Sequence, residues 1–142
     1  MFDKNGIIDH LQELKLAMKD WKKYQKYSLA DLEFDRDKRN MIFHAMLITI
    51  QSSIDIANHL ISEFGFDIPR TYRETFLILI QKNIISKELG DKLADLASFR
   101  NYLVHIYWKI DIKLVYNILQ NELIYFQQFL EKIKPYLKKF NE

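Results

Sequence analysis

Residues 41–65 read MIFHAMLITIQSSIDIANHLISEFG. Phe43, Leu47, Ile50, Ile54, Ala57, Ile61 and Phe64 recur at steps of four and three, the repeat of one face of a helix. Met41, Ala45 and Ile48 add a second apolar flank. The spacing therefore predicts a central helix covered on two sides. Gly65 stops it, since glycine takes the left-handed backbone that ends many helices. The apolar run Met41 to Ile50 contains His44 and is too short to span a bilayer.

The same rhythm extends in both directions. Ile7, Leu11, Leu14, Met18 and Trp21 predict a first helix starting near Asn5, with Lys15, Lys19, Lys22, Lys23 and Lys26 on its solvated side. Ser28-Leu29-Ala30-Asp31 has the form of a cap opening a second helical turn, and Thr71-Tyr72-Arg73-Glu74 that of a capping box after Pro69. Ser86 caps a segment carrying Leu89, Leu93 and Leu96. Asp111 opens a last long helix through Ile112, Tyr116, Leu119, Leu123, Phe126, Leu130, Ile133, Leu137 and Phe140, with Pro135 fraying its end. Nothing alternates with the period of a strand. The expected fold is all-α, an up-and-down bundle of four to five helices forming a single domain over residues 1–142.

Composition agrees with long helices. The 142 residues include only 3 glycines and 2 prolines, while 49% are hydrophobic. The absence of cysteine removes disulfides, thiol catalysis and cysteine-bound zinc from consideration. No His-Glu-x-x-His spacing or carboxylate cluster calls for a metal, and no glycine-rich loop calls for a nucleotide cofactor. The start of the chain lacks the charged-then-apolar build of a signal peptide, so a cytoplasmic location is expected. A net charge of +2, from 21 basic and 19 acidic residues, gives no global pull on nucleic acid. Aromatic residues such as Trp108, Tyr116 and Phe126 suit a core better than a base-stacking platform.

Chemistry concentrates in Arg100-Asn101-Tyr102-Leu103-Val104-His105-Ile106-Tyr107. Arginine grips phosphate bidentately, and histidine moves protons near neutral pH. Continuing the leucine stripe brings Arg100, Leu103 and Tyr107 to the seam. A second register, through Phe99, Leu103, Ile106 and Ile110, places Arg100 and Tyr107 at its border. A guanidinium in either place needs an acidic partner, an anion or a wet cleft. At roughly 100° per residue, Arg100 and His105 lie about 140° apart on one helix, while Asn101 and His105 share a face. Two copies meeting across an axis would bring all the groups together, and so would a distorted turn near His105; a homodimer through the motif helices is the more economical expectation. Asp55, inside the apolar central helix, can pair with Arg100, pair with another buried donor, or face water. Arg39-Asn40-Met41-Ile42-Phe43-His44 repeats the arginine, asparagine and histidine spacing, with Met46 where the tyrosine would stand.

Arg100 to Tyr107 resembles the Arg-Asn-x-x-x-His-x-Tyr motif of HepT-like toxins in the HEPN ribonuclease superfamily. The likeness extends to Asp35-Arg36, to Ile54-Asp55-Ile56-Ala57-Asn58-His59, to Pro69 through Phe76 and to Ser98-Phe99, covering roughly residues 28 to 134. It selects the second arginine–histidine spacing over the one at Arg39. It implies a homodimer with paired motifs lining a cleft, acting as the RNA-cleaving toxin of a type VII-like toxin–antitoxin pair. It also implies a minimal nucleotidyltransferase antitoxin that transfers AMP to Tyr107. On this reading Arg100 clamps the transition state and His105 is acid or base. Asn101 orients His105 or hydrogen-bonds the phosphate, and neither metal nor cofactor takes part. The alternative is a non-catalytic helical dimer that binds a nucleotidyltransferase and nucleic acid.

Overall fold

The structure, a computed structural model, describes residues 4–105 and 109–138. Among them are seven helices and no strand: α1 (Lys4–Tyr24), α2 (Leu29–Phe34), α3 (Arg36–Glu63), α4 (Tyr72–Gln81), α5 (Lys87–His105), α6 (Ile112–Asn121) and α7 (Leu123–Leu137). The all-α expectation holds. The four long helices α1, α3, α5 and α7 form the body; of the three short ones, α2 and α4 start at the caps expected at Ser28 and Thr71, and the separation of α6 from α7 is the one not expected.

α3 runs through the middle. Ile42, Met46, Ile50, Ile54, Ala57, Leu60 and Ile61 are buried on one side, and Ala45, Ser52 and Ile56 on others. Buried hydroxyls on this helix return to the preceding turn: Thr49 donates to the Ala45 carbonyl at 2.8 Å and Ser53 to the Thr49 carbonyl at 2.9 Å. Met41, expected to extend the second flank, is instead exposed. Gly65 stops α3 as expected, with φ +70; its N–H donates to the Ser62 carbonyl and that of Phe66 to the Ile61 carbonyl, closing the helix end. α1 lies antiparallel along α3, so His10 meets Asp55 while Tyr27 lies beside Lys38.

The caps read from sequence form. Ser28 and Asp31 bond reciprocally, at 3.1 and 2.9 Å. The Ser28 backbone N–H and the Lys38 ammonium together hold the Asp31 carboxyl below its usual range. Thr71 caps α4 by accepting from the Glu74 N–H at 3.0 Å, but Glu74 reaches to the Arg70 N–H rather than closing the box on Thr71. Ser86 and Asp111 cap α5 and α6.

The single last helix is a correction. The chain breaks at Glu122, between α6 and α7. The carbonyl of Leu119, among the last of α6, accepts from the Trp21 indole at 2.8 Å and from the Gln25 amide at 3.0 Å. Those donors, from the end of α1 and the residues after it, satisfy a helix terminus that a continuous helix would not have. Pro135 stands inside α7, which ends two residues later. Phe140 lies outside the described residues.

α4 and α5 pack antiparallel at close range. Gly90 permits this: a Cβ there would collide with the Ile80 side chain. The pairing brings Tyr72, at the start of α4, to Arg100, near the end of α5.

Candidate functional site

α5 presents Leu89, Leu93, Leu96 and Leu103 to the core, with Phe99 beside them. Arg100 falls at the edge of that face, half-buried, where α5 meets α3 and the first turn of α4. Both registers read from sequence put it at this border. Its partners among the described residues are neutral rather than acidic. The Arg100 Nε donates to the Oε1 of Gln51 at 2.8 Å, and its Nη1 donates to the Oδ1 of Asn101 at 3.2 Å. The guanidinium lies over the Tyr72 ring, 5.1 Å from its centroid. Two neutral acceptors and an aromatic face thus orient the cation without cancelling its charge. A guanidinium has five N–H donors. Both hydrogens on Nη2 and one on Nη1 are unused by these bonds, three charged donors left for an anion.

Asp55 sits one turn further along α3. It accepts from the Gln51 Nε2 at 3.0 Å, and its other oxygen lies 3.6 Å from the His10 Nδ1. It therefore touches Arg100 only through Gln51. His10 in turn lies beside His59, with ring centroids 5.4 Å apart.

Next to Arg100 opens a cleft of about 440 Å³ between α3, the start of α4 and α5, lined by Asn58, Pro69, Arg70, Thr71, Tyr72, Thr75 and Asn101. Asn58 accepts from the Thr75 hydroxyl at 3.1 Å, which fixes its amide. Arg73 is tied to Asp95 at 2.8 Å, whereas the Arg70 side chain has no ion pair among the described residues. The wall is rich in donors, as an anionic or nucleotide-sized ligand requires.

The structure brings Arg100 and Asn101 together but does not join His105 to either. His105 is the last residue of α5 and exposed, and its side chain makes no hydrogen bond or ion pair among the described residues. The Asn101 oxygen faces Arg100 instead of His105. Tyr107, the residue expected to carry a modification, lies outside the described residues, as do Ile106 and Trp108. Tyr102 ties the chain on either side of them: its hydroxyl accepts from the Asp111 N–H at 2.6 Å and donates to the Lys109 carbonyl at 3.3 Å. At the repeat, Arg39 and Asn40 line a separate cleft of about 380 Å³ with Arg36, the Arg39 side chain donates one long bond, 3.4 Å, to the Glu33 carbonyl, and His44 is exposed. Gln51 and Tyr72 were not singled out by sequence reasoning. The trace available was an amide among the apolar positions of α3 and a tyrosine just inside a cap.

The chain is similar to known proteins over most of its length. The family described as "Ribonuclease HepT-like" matches residues 14–133. The mRNA nuclease HepT of Shewanella oneidensis is 36% identical over 84 residues, which are 59% of this chain and 63% of that protein. The tRNA nuclease HepT of Aphanizomenon flos-aquae is 27% identical over 121 residues, 85% of this chain and 82% of that one. Among solved structures, the tri-AMPylated Shewanella oneidensis HEPN toxin in complex with MNT antitoxin superposes with a TM-score of 0.83. That match is at 27% identity and covers 95% of this chain and 99% of that one.

Proposed function

Because this chain belongs to the ribonuclease HepT-like family, we propose that it is a metal-independent endoribonuclease, the toxin of a toxin–antitoxin pair. The observation that carries this reading is the guanidinium of Arg100. It is fixed on three sides by Gln51, Asn101 and Tyr72, keeps N–H donors that these contacts leave unused, and stands beside a polar cleft that Asn101 and Tyr72 line. A phosphodiester in that cleft would meet those donors. A ribose 2′-hydroxyl then attacks its own phosphorus, the P–O bond to the 5′ oxygen breaks, and a cyclic phosphate and a free 5′-hydroxyl remain. One group must take the hydroxyl proton and one must protonate the leaving oxygen. Positive charge must meet the pentacoordinate phosphorane.

His105 is the proton-transfer group and Arg100 the electrostatic clamp. Asn101, bonded to Arg100, positions the guanidinium and offers its own amide hydrogens to the phosphate. His105 and Arg100 diverge on α5, so the working site is built across a homodimer in which the His105 of a second copy approaches the cleft. The cognate partner is a minimal nucleotidyltransferase, and the pair acts in the cytoplasm. AMP carried on the Tyr107 phenol would add bulk and negative charge beside the cleft and exclude RNA. No described helix is long and apolar enough to cross a membrane.

The test uses protein made without any nucleotidyltransferase, its unmodified mass confirmed, incubated with RNA in excess chelator. Cleavage by the parent, lost in Arg100→Ala and in His105→Ala with the helical spectrum intact, is expected. The exposure of His105 away from Arg100 favours a second reading, a non-catalytic dimer that binds RNA and a nucleotidyltransferase. No cleavage across a broad RNA panel would support that reading instead.

A further inference from the structure

We propose that Gln51 and Asp55 of α3 form a positioning relay for Arg100, in which Gln51 holds the guanidinium and Asp55 fixes the direction of the Gln51 amide. The proposal rests on the ribonuclease reading above.

Gln51 and Asp55 stand four residues apart on one helix, so their side chains share a face. The two ends of a glutamine amide look alike in shape and differ only in chemistry. Here chemistry leaves one solution. Arg100 can only donate, so it must meet the amide oxygen, and it does so through Nε at 2.8 Å. The Asp55 carboxylate accepts, so it takes the amide nitrogen, at 3.0 Å. Reversing the amide would set its NH₂ against the guanidinium and its oxygen against the carboxylate, two repulsive contacts at once. Asp55 therefore determines which atom of Gln51 faces Arg100.

The consequence concerns the shape of the grip. With Nε occupied, the side-on edge of the guanidinium is closed to a ligand, and the Nη2 hydrogens, with the one Nη1 hydrogen that Asn101 leaves, remain for an anion. The relay also separates holding from neutralising. A carboxylate placed directly on Arg100 would cancel the charge that attracts phosphate. A neutral carbonyl holds the group equally well in direction and keeps the acid one residue removed. The other Asp55 oxygen faces α1, 3.6 Å from the His10 Nδ1, so this carboxylate links the α1–α3 interface to the site. Gln51 bonds Arg100 directly and Asp55 meets it only through the Gln51 amide, so both act on the site as positioning residues through Arg100.

The test starts from a parent that cleaves RNA in chelator and an Arg100→Ala variant that does not. If the parent is inert, it is the ribonuclease reading that fails. Given that baseline, Gln51→Leu, similar in size but without an acceptor, should lower the rate at saturating RNA by about 10²-fold, the scale of a misplaced catalytic group. Asp55→Asn should lower it by about tenfold, because either end of the amide at position 55 can then face Gln51. Melting temperatures identify a variant that is merely unstable; if Gln51→Leu is one, Gln51→Met is read in its place. The decisive readout is the affinity for a 2′-O-methyl oligoribonucleotide, which cannot attack itself, across Gln51→Leu, Arg100→Ala and the double variant. A residue that works only through Arg100 adds no loss once Arg100 is gone. Two losses that sum in full, or a Gln51→Leu protein cleaving within about twofold of the parent, would overturn the proposal.

Discussion

At Arg100 the donors are distributed so that restraint and charge do not compete. Gln51 and Asn101 each accept one N–H, and Tyr72 supports the planar face. A lysine carries the same charge but neither the fork nor the plane. Arg100→Lys should therefore lower cleavage by roughly 10²-fold or more, since removing one oriented transition-state donor already costs that much. Tyr72→Phe keeps the ring and should stay near parental activity, whereas Tyr72→Leu should lose several-fold. Initial rates on one RNA rank the three variants, and a Tyr72→Leu enzyme equal to the parent would remove the ring from the account. The segment holding Arg100 and His105 stood out in the sequence because it resembles a known pattern, and of the two it is Arg100 whose place at the border of the seam was legible. Gln51 was not: 49 residues from Arg100, it becomes a partner only when α3 and α5 pack side by side. Tyr72 was read as part of a cap, and its second role comes from the antiparallel pairing of α4 with α5.

Among the elements, α3 was the most legible, because an apolar face recurring across the whole helix can be read without knowing what covers it. The division between α6 and α7 was hidden. Its cause is the Trp21 indole and the Gln25 amide, both nearly a hundred residues away, drawing on the Leu119 carbonyl. Trp21→Phe should keep most of the buried area yet lose this bond, at a cost of about 1–2 kcal/mol. Gly90→Ala should cost about 1–3 kcal/mol, because α4 and α5 must separate to admit the methyl group against Ile80. Denaturant titration measures both. Glu122, at the break, carries a carboxyl raised above its usual value by burial, with the Lys92 charge opposing that rise. The folded state thus holds this proton at pH values where the unfolded chain has released it, so stability falls as pH rises through that window. Glu122→Gln removes the penalty. It should melt higher than the parent at pH 7 and show no such gain near pH 4, as thermal scans at the two values would reveal.

For the molecule as a whole, the fold places its cation and its imidazole apart. Arg100 turns inward to the seam of α3, α4 and α5, and His105 ends α5 in solvent. On the proposed reading, a second copy brings its His105 to the Arg100 of the first, supplying what a single copy lacks. Activity should accordingly fall on dilution below the dissociation constant of the dimer, and more steeply than protein concentration. The near-neutral composition fits the same picture: with a net charge of +2, RNA must be held by a local cleft rather than drawn by the whole surface. The all-α class was legible from periodicity alone. The placement of the cleft was not, since it depends on where the start of α4 meets α5.

The most direct measurement co-expresses the Arg100→Ala and His105→Ala chains and assays the mixed protein in chelator. A site that takes Arg100 from one copy and His105 from the other leaves each mixed dimer with one intact site, so random pairing should restore about a quarter of parental cleavage. Each variant alone should be inert. A mixture as inert as its components, beside an active parent and with mixed dimers verified by mass, would contradict a site shared between copies.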